Sequence, residues 1–486
     1  MGDARNRLLR PIAAFALLTA CAACSGGAAR VAVATPSGPS QHFRSRPDLR
    51  PPRVKVLTPA HGTAPGYLFI APKRGVEQAG PLILDDKGQV VWFHPVDTDG
   101  VTDFRVQRYK GRRVLTWWRG ETARNVGNSR YVIADSSYRV ITTVTAANGL
   151  TGDIHEFMIT PRNTALFTVY RRAPYDLSKL GGPMFGRVAE GIIQEVDIAT
   201  GRLLFEWHSL GHVAPRESYE PVPTRALTYD YFHVNAVDID TDGDLLVSAR
   251  NTHAVYKIRR SDGHVLWRLG GKRSDFALAP RARFAWQHDI RRQPDKTLTL
   301  FDNQAVHPRP RGHSRVLVLR LDTRRHRAKL VRSYTHRKRL LSTSEGNAQF
   351  LPNGHVLVGW GRRPYVTEFD RAGRVLLDLR FGSDAGDSYR AYRLRWTGHP
   401  TTRPALAVEA GRKGTTLYAS WNGSTAVRRW RVLAGSDTRH LKKIKEERTS
   451  GFETSIRVGS RARLFAVAAL AADGHVLRQS RAVARS

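Results

Sequence analysis

The sequence predicts an all-β chain: a six-bladed β-propeller followed by a small C-terminal β-sandwich of fibronectin or immunoglobulin type. Three observations predict it. From Val54 onward short apolar runs alternate with Gly, Pro, Asp and Asn turns, and no stretch sustains a helical period. A multi-strand unit of roughly 40–50 residues recurs, the spacing of propeller blades. After Gly398 that unit stops and a run of short strands without it begins.

The recurrent unit is clearest from Phe284 to Asn303, FAWQHDIRRQPDKTLTLFDN. It reads as a strand opened by His288, a polar turn at Gln293–Lys296 and a second strand, Thr297 to Phe301. Tyr231 to Arg250 has the same shape, with His233 at the matching place. Ile154 to Tyr170 puts His155 there, Ser344 to Trp360 puts Asn347 there, and a weaker copy, Phe104 to Trp118, puts Arg105 there. The steps 288 − 233 = 55 and 347 − 288 = 59 fit one blade each. The longer step, 233 − 155 = 78, holds two inserted loops, Arg171 to Glu190 and Gly211 to Ala226. Such loops belong on a functional face.

In chain order, residues 1–20 read as an export signal. Arg5, Arg7 and Arg10 precede an apolar run, Ile12 to Ala20, too short to span a bilayer. Leu18-Thr19-Ala20-Cys21 resembles a lipobox, which implies cleavage before Cys21, lipidation of its thiol and an extracytoplasmic protein, membrane-anchored or secreted. Residues 21–53, rich in Gly, Ala, Ser, Pro and Arg, read as a disordered tether. The propeller is expected over 54–398. Its first strands are Gly66 to Ala71 and Pro81 to His94. Five larger units follow: Val101 to Ala146, Thr151 to Ser209, Tyr229 to Gly271, Phe284 to His336 and Leu341 to Gly382. Tyr389 to Trp396 would complete the first blade and close the ring. The sandwich is expected over 399–486, with Trp421 and Trp430 in its core.

Composition narrows the function. Of 486 residues 41% are hydrophobic, enough for a packed core. The 78 Lys and Arg outnumber 42 Asp and Glu, for a net charge of +36. An Arg-coated surface, anionic substrates or an anionic envelope each account for this, whereas the export signal argues against nucleic acid. Both cysteines, Cys21 and Cys24, precede the folded body, so no disulfide staples it. Asp238 to Asp244 resembles a calcium loop but has Ala249 at the twelfth position, and reads as a turn. Three histidines from three blades lack the local spacing of a metal site. No Walker loop or dinucleotide fingerprint is present. Arg309, Arg311 and Arg315, near His307 and His313, form a basic insertion that would guide anions or simply be solvated.

With the repeats in register, Arg105, His155, His233, His288 and Asn347 all come from inner strands and converge at one mouth of the central channel. Phe232-His233-Val234-Asn235-Ala236-Val237, Leu245 to Asn251, Trp286-Gln287-His288-Asp289 and Phe301-Asp302-Asn303 together resemble the bacterial arylsulfotransferase family, over about Val56 to Phe381. The resemblance implies a six-bladed propeller and PAPS-independent, ping-pong transfer of a sulfuryl group from an aryl sulfate to a phenol, without a cofactor. Carried over by motif, His288 is the transiently sulfated nucleophile, assisted by His155, His233 and Arg250. Asn347, Asn303 and Arg105 are expected to bind substrate. Trp286 and Phe232, with Trp117, Trp118 and Trp360, are candidates to stack on its ring. The enterobacterial type carries an N-terminal β-domain and a disulfide, which are not found here; the pattern is similar to an actinobacterial lipoprotein branch. Two other readings stay open: a hydrolase using the same histidines, and a non-catalytic propeller that binds envelope glycans or another anionic ligand.

Overall fold

Alternation along one strand shows how the blades stack. In Leu245–Ala249 every side chain is buried. Leu245, Val247 and Ala249 enter the apolar layer shared with the preceding blade, and Leu246 enters the layer shared with the next. A strand packed on both faces must be apolar at every position, which is why these segments read as continuous runs. The computed structural model describes residues 38–485 apart from 98–99, 122–128, 226, 307–309 and 311. The expected export signal and Cys21 lie outside the described residues, as do His307, Arg309 and Arg311.

Six sheets form the blades, each built on four antiparallel strands, and three of them carry a fifth. Their innermost strands are Asp387–Leu394 (blade 1), Gly100–Tyr109 (blade 2), Gly152–Ile159 (blade 3), Val234–Ile239 (blade 4), His288–Arg292 (blade 5) and Asn347–Phe350 (blade 6). Six apolar layers alternate with them, each drawn from two successive blades, including one between blades 6 and 1 that completes the circle. Ring closure is double. Asp387–Leu394 pairs with Tyr67–Arg74 from the start of the propeller, close to the expected closing strand. Val54–Thr58 adds a fifth, outer strand to blade 6, with Val54 opposite Phe381.

The C-terminal region forms two sheets, Ala405–Gly411/Gly414–Ser420/Glu453–Val458 and one built on Arg429–Gly435 and Leu464–Leu470. Trp430, Leu417, Ile456, Phe465 and Val467 fill the space between them. Trp421 packs only at its margin, its Nε1 donating to Thr402 O at 3.0 Å. The sandwich docks on blade 1, where the Asn422 amide bonds both the N–H (3.0 Å) and the carbonyl (2.9 Å) of Phe93.

The expected tether does not reach residue 53. Ser40 bridges Pro52, the Ser45 amide donates to Glu453 at 2.6 Å, the Phe43 ring packs at a tilt against Phe452 with centroids 4.3 Å apart, and Leu49 is buried. These residues strap blade 1 to the sandwich. Their Pro- and Arg-rich composition hides long-range partners that only the fold supplies.

Candidate active site

Inner strands start at the pocket mouth, and several of them do so through a bulge. Register breaks fall between Thr102 and Arg105, Val234 and Ala236, and His288 and Arg291. Asp103, His233, Asp289 and Glu345 sit there with φ of 52°, 57°, 56° and 66°. Left-handed backbone at a non-glycine residue is costly and concentrates where side chains must be aimed.

His155, His233 and His288 do come together, with Arg250 beside them. The His155 and His233 rings lie 5.2 Å apart at 80°. Each Nδ1 is hydrogen-bonded to a carboxylate, Asp153 for His155 and Asp230 for His233. Tyr170 stands 5.8 Å from both rings, and Tyr389 lies 5.5 Å from His155 and 6.3 Å from His288. A pocket of about 340 Å³ opens at His155 and His233, lined by both His–Asp pairs, Tyr170, Trp118, Ser129, Arg171, Arg172 and Thr228; His288 and Arg250 lie outside its lining.

His288 differs from the other two. It is 1% exposed, and neutral groups face its Nδ1: Asn303 Oδ1 at 2.8 Å and Trp286 O at 3.0 Å. The Asn303 amide has one orientation, because its Nδ2 donates to Ser342 O (3.0 Å) and Glu345 O (2.9 Å). Its Oδ1 must therefore accept, so the proton sits on Nδ1 and the lone pair on Nε2. That lone pair receives the Glu345 N–H at 3.2 Å, a long bond.

Burial first, then the Arg250 guanidinium, holds the His288 imidazole well below the usual histidine range. The same causes, partly opposed by Asp230, lower His233 to about 4. Burial pushes the Asp230 carboxyl up, but His233, Arg250 and His155 together hold it below its ordinary value. Arg250 lies over the Trp286 ring at 4.4 Å and donates through Nε to Asn251 Oδ1 at 2.9 Å. Among the described residues no carboxylate forms an ion pair with it, which leaves its charge available to an anion.

Beneath the rings an ionic cluster fills the axis. Fully buried Arg390 donates to Glu156 (2.9 and 3.0 Å) and Asp103 (3.0 Å), and Arg291 donates to Glu156 at 2.7 Å. Burial raises the Glu156 carboxyl, but Arg291, Arg390 and Arg105 hold it well below the usual carboxylate range.

All five expected substrate contacts have partners within the protein. Arg105 points into this cluster, bonded to Glu156 at 3.0 Å and to Phe157 O, since its long side chain reaches past the mouth. Asn347 spends its amide on the Ala391 N–H and C=O, both at 2.9 Å, stitching blade 6 to blade 1. Phe232 is wholly buried between Trp207, Tyr231 and Tyr256. Asn303 acts on His288 rather than on a ligand. Trp286 bonds Glu220 through Nε1 at 3.1 Å and supports Arg250. Of the other aromatics only Trp118 lines the pocket; Trp117 and Trp360 sit between blades. The calcium-like turn is neutralised instead by cations, Lys257 Nζ at 2.6 Å and Arg292 Nε at 2.7 Å from Asp240. No group of three or more metal-ligating side chains occurs among the described residues.

Sequence reasoning missed Asp153, Asp230, Tyr170, Tyr389 and Glu345. A signal existed for the first two: an acid precedes each histidine by two or three residues, in Asp153-Ile154-His155 and Asp230-Tyr231-Phe232-His233.

A family model described as Arylsulfotransferase (ASST) matches residues 105–382, more than half of the chain. No curated protein matches it. Among solved structures, it is similar to a protein of unknown function from Bacteroides caccae, with 14% identity and a TM-score of 0.40 over 68% of this chain and 98% of that one. A β-propeller domain from Myceliophteria thermophila has 11% identity and a TM-score of 0.37 over 77% and 98%. Virginiamycin B lyase from Staphylococcus aureus has 10% identity and a TM-score of 0.33 over 77% and 97%. Likeness this remote adds nothing to what the blade topology already states.

Proposed function

The chain belongs to the arylsulfotransferase family, and from that premise we propose that it moves a sulfuryl group from an aryl sulfate to a phenol in two steps through His288. The observation that carries this reading is what backs each imidazole. His155 and His233 have carboxylates on Nδ1, the arrangement of a proton carrier, whereas His288 has only neutral acceptors there. A buried histidine beside a guanidinium stays neutral at pH 7, with its lone pair on Nε2.

In the first step the His288 Nε2 lone pair, released from the Glu345 N–H, forms a bond to sulfur. The sulfur–oxygen bond to the aryl group breaks, and that electron pair leaves on the phenolic oxygen. His155, its Nδ1 hydrogen-bonded to Asp153, supplies the proton. In the second step the same imidazole takes the proton of an incoming phenol, whose oxygen attacks sulfur and returns His288 to its neutral form. Arg250 offsets charge on the sulfuryl oxygens. Tyr170 and Trp118 offer ring faces in the pocket to the aryl group.

Incubation with p-nitrophenyl sulfate tests this. Acceptor-dependent nitrophenol release that disappears in His288→Ala supports transfer. Release indifferent to the acceptor marks a hydrolase, and no release marks a binding protein. The extracytoplasmic, lipid-anchored setting read from residues 1–21 is part of the same proposal and is supported by the leader pattern alone.

A further inference from the structure

The hairpin of blade 3 carries an apolar tip that the proposed chemistry does not use. Its strands, Thr164–Pro174 and Arg187–Asp197, run up to the mouth, where Arg171 and Arg172 line the pocket. The tip beyond them is built, not loose. Tyr175 N donates to Gly186 O, Leu177 N to Pro183 O and Gly182 N to Leu177 O, at 2.9–3.1 Å. Gly181 makes the turn at φ 82°. The loop buries Leu177 completely yet turns Phe185 outward at 92% exposure and Met184 at 61%. Leu227, 65% exposed, sits beside them, because Thr228 pairs with Arg187. A fold that could bury one apolar side chain there leaves three in water.

Exposed Lys179, Arg187 and Arg225 surround this apolar group, with Asp176 the exposed acid of the tip. Apolar wedge and cationic collar together match an anionic lipid interface: rings and thioethers enter the headgroup boundary while Lys and Arg meet phosphates. The chain also enters its described body on this face. The Gly38 N–H donates to Gly75 O, and Gly75 follows Arg74, which pairs with Asp387 at the mouth end of blade 1. We propose that the Met184–Phe185 tip docks the protein on an anionic phospholipid surface and turns the pocket mouth toward it. An aryl substrate dissolved in that surface would then reach the site directly. The docking claim stands apart from the transfer chemistry.

The test uses the full chain with Cys21→Ser, Cys24→Ser and Phe185→Cys, the new thiol carrying an environment-sensitive fluorophore. Vesicles of phosphatidylcholine with phosphatidylglycerol should shift its emission to the blue, and pure phosphatidylcholine should not. Lys179→Glu with Arg187→Glu should weaken the titration at least about tenfold, as should added salt. In unlabelled protein, Met184→Ser with Phe185→Ser should lower vesicle cosedimentation about tenfold while the melting temperature holds. An aqueous spectrum on both vesicles overturns the proposal. So does a blue shift that grows with protein concentration without lipid, which would make a second copy the occupant.

Discussion

Asn303→Asp isolates the feature that makes His288 different. The side chain keeps its shape, but the acceptor 2.8 Å from Nδ1 becomes a carboxylate. A hydrogen bond to a charged partner contributes about 1 kcal/mol more than a neutral one, and a unit charge about 4 Å away adds up to about 4 kcal/mol at an effective dielectric constant near 20. At 1.36 kcal/mol per unit these raise the His288 pKa by roughly one to three units. The imidazolium has no lone pair on Nε2, so activity disappears at a higher pH than in the parent protein. Ser342 O keeps a second donor in Ser314 Oγ at 3.3 Å, but Glu345 O loses the Asn303 amide, at about 1–3 kcal/mol of stability. The assay is single-turnover nitrophenol release between about pH 5 and 9, with a thermal melt confirming a folded variant. An acid limb that stays where it was, in a protein that melts cooperatively, would refute the reasoning.

Asp153→Asn removes the carboxylate behind His155 and should slow transfer about 10²–10⁴-fold for donors with basic leaving groups, and much less for p-nitrophenyl sulfate, whose leaving group needs little protonation; rate against leaving-group pKa checks it. Glu156→Gln strips the charge that holds Arg390, Arg291 and Arg105 at the axis and should destabilise the fold by about 3–5 kcal/mol, read by denaturant melts. Acid should destabilise the protein through His233. With its folded value lowered to about 4, the unfolded chain binds more protons between that pH and about 6.5, so stability falls as pH drops through this window, by at most about 3 kcal/mol. Urea midpoints across that range in the parent and in His233→Gln measure it.

Blades 2 to 6 were legible in the sequence because each inner strand pairs with the next strand through a short turn, so a two-strand signal marks them; blade 1 takes its inner strand from the far end of the propeller. The histidines were legible for the same reason: His155, His233 and His288 stand where an inner strand begins. Side-chain direction was not. Arg105 holds the equivalent place in blade 2, but a bulge with Asp103 at positive φ and a long reach carry its charge to Glu156 in blade 3. Asn347 starts its strand like His288, yet a backbone pair from Ala391 in blade 1 saturates its amide. Such partners lie 44 or more residues away, beyond any local pattern. Residues 38–53 escaped notice likewise, since the carboxylate that fixes Ser45 belongs to Glu453.

Intact mass and peptide mapping after mixing the protein with excess aryl sulfate, without acceptor, bear most directly on the role of His288. A nucleophilic His288 leaves one sulfuryl group per chain on the peptide spanning Trp286 to Asp289, absent in His288→Ala and lost on adding phenol. A modified peptide around His155 or His233 instead, or turnover with no adduct at any time, would contradict it.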